Sequence, residues 1–210
     1  MKRVALLVVV AALFLTTAAM ADQTVTYSTQ GAFNGGPLMP VSVLVLGGGS
    51  LTFTGCPLSA ACVTGQTTLI TTAPDFEYSY PGLGNFTETG TGNLAGDTFQ
   101  LQVTQTVPAP GGNATQTASF TGKFVSSGGI VNLVFGPPVF TWSQNGQKYS
   151  SLIGSPLSGV NWAVYNNTTI NQGADTTLQG LAYSTPEPSS MLLLGAGLTG
   201  LVGLVRRKKA

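Results

Sequence analysis

The sequence predicts an all-β chain, an antiparallel β-sandwich of jelly-roll type, and three observations predict it. No stretch between residues 22 and 185 carries a helical period with caps at both ends. Short alternating or β-branched apolar runs recur there instead, spaced for about ten strands. Glycine and proline clusters separate those runs, supplying the φ > 0 or fixed-φ residues that tight turns need. A right-handed β-solenoid is the runner-up architecture, and no fixed-period repeat supports it.

In chain order, residues 1–21 are set aside first. Lys2 and Arg3 open the chain, residues 4–15 are continuously apolar, and Ala19-Met20-Ala21 offers the small residues of a cleavage site. This is the pattern of a secretory signal peptide, so the mature chain is expected to begin at Asp22. The body then covers residues 22–183.

In "TVTYS" Val25 and Tyr27 share a face, and in "DFEYSY" Phe76, Tyr78 and Tyr80 do. "TFQLQVTQTV", from Thr98, is the clearest strand: Phe99, Leu101, Val103 and Val107 alternate with hydroxyl and amide side chains. Such alternation covers one face and wets the other. "VSVLVL" at Val41, "IVNLVF" at Ile130 and "VFTW" at Val139 are apolar on both faces, which predicts central strands. "FVSSGGIVNLVF" and "TWSQNGQKYS" read as β-hairpins. Cys56 and Cys62, in "CPLSAAC", are expected to pair in an exported chain.

Charge narrows the function. Within the body Lys123 and Lys148 face Asp22, Asp75, Glu77, Glu88, Asp97 and Asp175, a formal charge of −4 that the basic ends conceal in the whole-chain value of +1. No basic patch is available to neutralise phosphates, so nucleic acid is not an expected partner. Histidine is absent. That removes Ser-His-Asp and Cys-His catalysis and most zinc sites, and no cofactor is expected. The body is read as non-enzymatic.

Three weaker readings of the body remain beside this one. Tyr78, Tyr80, Trp142, Tyr149, Trp162 and Tyr165 could form a platform on which sugars stack, as in β-sandwich carbohydrate-binding modules. Asp75 and Glu77, two apart on the polar face of one strand, could serve glycoside hydrolysis, which needs two carboxylates about 5–9 Å apart. Glu88 and Asp97 belong to the same acidic group, and with Asn85, Asn93 and the loop "TETGTGNLAGD" they suggest Ca²⁺, although no known calcium motif matches.

The chain ends differently. "STPEPSSMLLLGAGLTGLVGLVRRKKA" opens with Pro186, Glu187 and Pro188, continues with an apolar run begun by Met191, Leu192, Leu193 and Leu194, and closes on Arg206, Arg207, Lys208 and Lys209. The run is expected to form one short transmembrane helix. Fifteen residues reach only about 22 Å, so spanning needs flanking serines at the interface, snorkelling cations and a thinned bilayer. The four cations place its C-terminal end in the cytoplasm and leave the body outside.

This order of motif, helix and basic end resembles the PEP-CTERM sorting domain of exported bacterial proteins, over residues 184–210. The resemblance implies exosortase as partner, a membrane cysteine protease that cuts near the motif. It also implies passage through the inner membrane during export, arrival at the cell surface or extracellular matrix, and a role linked to exopolysaccharide or biofilm. Pro186 and Pro188 hold the segment extended, as a protease cleft accepts, and Glu187 offers one charge for a basic pocket.

Overall fold

The computed structural model describes residues 23–62, 64–72, 76–124, 128–137, 139–142 and 146–184. The expected signal peptide and mature start, Asp75, and the sorting segment from residue 185 onward lie outside them. Among the described residues the strands are β1 (Gln23–Phe33), β2 (Val41–Leu46), β3 (Gly48–Thr54), β4 (Gln66–Thr72), β5 (Phe76–Ser79), β6 (Gly82–Asn93) and β7 (Thr98–Val107). They continue with β8 (Gly112–Phe124), β9 (Ile130–Phe135), β10 (Val139–Thr141), β11 (Lys148–Ser151), β12 (Val160–Tyr165), β13 (Asn167–Asn171) and β14 (Thr176–Ser184). Among the described residues one 3₁₀ turn, at Ala60–Cys62, interrupts the β structure.

All pairings are antiparallel, and they join every described strand into one network. Successive pairings β1–β4, β4–β5, β5–β14, β14–β6, β6–β8, β8–β7 and β7–β1 close into a ring. Three branches leave it: β3 then β2 from β6, β9 then β13 from β8, and β12, β11, β10 from β14. Long strands make the closure. The first half of β14 pairs with β6, a register shift follows between Thr177 and Gln179, and Ala182, Tyr183 and Ser184 then pair with β5. Both expected hairpins form, β8–β9 and β10–β11.

The core lies where apolar faces of strands that are not hydrogen-bonded to one another meet. Phe99 of β7 packs on Phe53 of β3 at 4.9 Å between ring centroids and on Phe86 of β6 at 5.0 Å, and its register partner Phe33 on the paired strand β1 joins them at 5.2 Å. Tilted and edge-on rings at these spacings add to the burial itself. Gly31 is the reason β1 passes so close: a Cβ there would sit 2.5 Å from Phe53 Cδ1 and 2.6 Å from Phe99 Cε2.

Toward the other end Trp162, 1% exposed, lies 5.1 Å from Tyr27. Its indole N–H donates to Gln105 Oε1 at 2.8 Å, and Gln105 Nε2 donates to the Leu157 carbonyl at 3.1 Å. This explains why Gln105 occupies the inward face of β7 while Val107, expected there, is exposed. A buried amide is tolerated because its donor and its acceptor are both engaged.

Cys56 and Cys62 form the expected disulfide, with Cα atoms 5.4 Å apart, between β3 and β4. Closing so short a loop contributes about 2 kcal/mol on chain-entropy grounds.

Two expected central strands are corrected. β2 and β10 stand at the two ends of the strand path. In β2, Leu44 and Leu46 lean on the core while Val41, Val43 and Val45 are exposed, Val45 at 81%. Apolar residues on both faces predict cover on both sides, and here one side has none among the described residues.

Tyr27 gives the fold a pH signature. Its phenol donates to the Gly82 carbonyl at 2.7 Å, and burial raises its pKa far above the usual value. The folded phenol therefore keeps its proton where the unfolded one loses it. The associated stability is intact below about pH 10 and falls as the pH rises further, by up to about 1.4 kcal/mol per pH unit for one group. Urea midpoints should drop over that window, and less steeply in Tyr27→Phe. Equal slopes would refute the assignment.

Candidate functional site: an aromatic face beside the sorting segment

The branch β14–β12–β11–β10, with β5 on the far side of β14, has two differently used faces. Alternation in β12 sends Val160, Trp162 and Val164 into the main core and Asn161, Ala163 and Tyr165 outward. The same period sends Leu181 and Tyr183 of β14, Tyr78 of β5, Tyr149 of β11 and Phe140 of β10 to this outer side. Register then lines them up: Phe140 faces Tyr149, Tyr149 faces Tyr165, Ala163 faces Leu181, and Tyr183 faces Tyr78.

The result is a second hydrophobic cluster, with Tyr149, Ala163 and Leu181 buried as its floor. Tyr78, Tyr80, Phe140, Trp142, Tyr165 and Tyr183 are half-buried around them. Trp142, just past β10, reaches back over the sheet to lie 5.3 Å from Tyr183 and 5.7 Å from Tyr78. Phe140 likewise meets Tyr183 at 6.0 Å. Strand β10 therefore curls over the face. The turn holding it is closed by Trp142 N–H donating to the Gln147 carbonyl at 2.8 Å and Gly146 N–H to the Trp142 carbonyl at 3.0 Å.

Polar groups punctuate this apolar surface. Burial raises the phenol pKa values of Tyr80 and Tyr183. At Tyr80 the neighbouring Tyr78 adds to that, while the Trp142 indole works the other way. Both phenols are thus neutral donors at physiological pH. The indole N–H of Trp142 lies toward Tyr80 without making a well-formed hydrogen bond. Asn161 stands in the same outward row, its amide 3.5 Å from the Tyr183 carbonyl, and Gln179 is exposed on the outward side of β14. Alternation turns Lys148 and Glu77 to the opposite side of their strands, so neither places a charge on the face.

Five of the six aromatic residues singled out from the sequence meet here: Tyr78, Tyr80, Trp142, Tyr149 and Tyr165. Trp162 does not, since it belongs to the main core. Phe140 and Tyr183 were missed, although Phe140 precedes Trp142 by one strand period.

The described acidic residues do not gather. Glu77, expected on a wet face, is 7% exposed, because Tyr78 occupies the outward side of β5 and the carboxylate turns inward. Glu88 is 5% exposed on β6; its Oε2 accepts from the Gly173 N–H at 2.9 Å, and its Oε1 has no partner among the described residues. Asp97 accepts from Asn34 Nδ2 at 2.8 Å, and Asn93 Oδ1 accepts from the Ala95 N–H at 3.1 Å. Asn85 is engaged with the Ser59 hydroxyl. Among the described residues no three histidine, cysteine or acidic side chains group as a metal site.

Tyr183 is followed by Ser184, where the described chain ends and the tail begins. Residues 184–209 match the PEP-CTERM protein-sorting motif. This chain carries a PEP-CTERM sorting signal. PEP-CTERM signals belong to exported proteins sorted by exosortase, and the match supports an exported, exosortase-sorted chain. The match covers the C-terminal end and leaves the β body outside it. No curated protein and no solved structure matches the chain. Pro186, Glu187 and Pro188, the apolar run with Met191, Leu192, Leu193 and Leu194, and the terminal Arg206, Arg207, Lys208 and Lys209 lie outside the described residues. Among the described residues no helix is long and apolar enough to cross a membrane.

Proposed function

We propose that the body, a sandwich-like module, works at the cell surface or in the extracellular matrix by holding a neutral polysaccharide against its aromatic face, without catalysis. The observation that carries this reading is the gathering of Tyr78, Tyr80, Phe140, Trp142, Tyr165 and Tyr183, all half-buried, on one side of one sheet. Sugar rings present C–H faces that stack on aromatic rings, and their hydroxyls bond to neutral donors and acceptors. Phenols, Asn161 and Gln179 supply those groups. The absence of charge from Lys148 and Glu77 on this side favours an uncharged saccharide over an acidic one. Exopolysaccharide is the partner that an exosortase-sorted matrix protein would meet.

Among the described residues the carboxylates lend catalysis no support, since Glu77 and Glu88 are buried on separate strands and Glu88 is tied to a backbone N–H. The test is titration of neutral and acidic polysaccharides into the mature chain ending at Ser184. Trp142→Ala should weaken neutral-saccharide binding about tenfold or more, as loss of a central aromatic anchor does. Binding equal to that of the unsubstituted chain, with the fold intact by circular dichroism, would remove the aromatic face from the account.

A further inference from the structure

Before cleavage the same face has a nearer surface to meet. Tyr183, a member of the aromatic cluster, is followed directly by Ser184, and Met191 opens the apolar run seven residues later. Seven residues reach at most about 25 Å even when fully extended. A body of this length has a radius of gyration of about 15 Å. The tether is therefore comparable to the body's own radius, and the end of β14 stays close to whatever holds the apolar run.

The chemistry at that end suits a lipid interface. Tyr and Trp concentrate at the headgroup level of membranes, where the ring body lies among apolar matter and the phenol or indole N–H meets polar groups. Trp142, Tyr78 and Tyr183 are mutual neighbours within 6 Å or paired in register. Glu77 and Lys148 turn away, so neither attraction nor repulsion by anionic headgroups opposes the contact through them. A short tether raises the effective concentration of the face at the bilayer into the millimolar range, enough for an affinity negligible in the free body.

We propose that in the uncleaved precursor this aromatic face rests in the lipid headgroup layer, and that cutting at the sorting motif uncovers it for polysaccharide. The second half of the proposal rests on the saccharide reading above; the membrane contact does not. Exosortase thereby acts on the availability of the face as well as on the address of the protein.

The chain contains two tryptophans, which makes the test internal. Trp142 is at the face, and Trp162 is 1% exposed in the core. The full chain is reconstituted into phosphatidylethanolamine/phosphatidylglycerol vesicles in which part of the lipid carries a nitroxide at the fifth acyl carbon. Insertion is verified by flotation. Emission of the anchored chain should be quenched, more strongly than by a nitroxide at the twelfth carbon. In Trp142→Phe the remaining emission should be unquenched, and the chain ending at Ser184 should show no quenching on the same vesicles. If Trp142→Phe fails to fold, the depth dependence in the unsubstituted chain decides alone.

An inserted chain with unquenched emission, or with equal quenching in Trp142→Phe, overturns the inference and leaves the saccharide reading standing. Quenching of the anchored chain together with no saccharide binding by the released body sinks the saccharide reading and the uncovering step, and keeps the membrane contact. With both intact, the anchored chain should bind polysaccharide about tenfold more weakly than the released body, because only the undocked fraction is competent. Equal affinities contradict the uncovering step.

Discussion

Trp162→Ala is expected to cost about 3–5 kcal/mol, a large share of the stability of a domain this size. Three losses coincide. The indole is the largest fully buried side chain in the body, and its removal leaves a cavity between β12 and β1 where Tyr27 packs at 5.1 Å. The donor to Gln105 Oε1 disappears, leaving a buried amide oxygen unpaired. Gln105 also donates to the Leu157 carbonyl, so the segment leading into β12 loses its fixed neighbour. Chemical denaturation should show a lowered midpoint with an unchanged slope. Trp162→Phe keeps most of the packing and isolates the hydrogen bond, so it should cost clearly less. Equal losses in the two variants would mean that cavity volume contributes little.

The second large effect concerns sorting. Replacing Pro186, Glu187 and Pro188 together with alanine should abolish processing, leaving full-length chains that retain Ala210 and remain with the membrane fraction. Proline removes a backbone donor and resists continuation of a helix, whereas alanine does neither, so the substitution changes what the motif's backbone can adopt. Mass spectrometry of the C-terminus reads the outcome directly: a truncated terminus in the unsubstituted chain and an intact one in the variant. Truncation of both at the same bond would show that the motif is a spacer.

These expectations bear on what could be read without the structure. β7 is bounded at Thr98 and Val107 in the sequence and in the fold, because Phe99, Leu101 and Val103 alternate with polar residues and leave little choice of face, although Val107 falls beyond the buried stretch. Val25 and Tyr27 were placed inward for the same reason, and both are buried. The sorting signal was equally legible, since a motif matched in linear order is read without the fold.

Periodicity says which residues share a face. It does not say what covers that face. Tyr78 and Glu77 show the cost of this: alternation put them on opposite faces of β5 with the acid on the polar one, whereas the sheet has the aromatic cluster outside and the carboxylate inside. Trp142 and Trp162 are indistinguishable by composition, and only register across β12, β14 and β5 sends one outward and the other to the centre. For β2 and β10, β-branched and aromatic content described how well each strand packs without revealing its place at the rim.

β14 is hydrogen-bonded to β12 on one edge and to β6 and then β5 on the other, and it is the strand that runs into the tail. Any drag on the body while the tail is held is thus a pull along that strand's own axis. Bonds on both edges must then shear together, where a rim strand would peel one pair at a time. The attachment point is consequently tougher than one on a rim strand such as β2 or β10 would be.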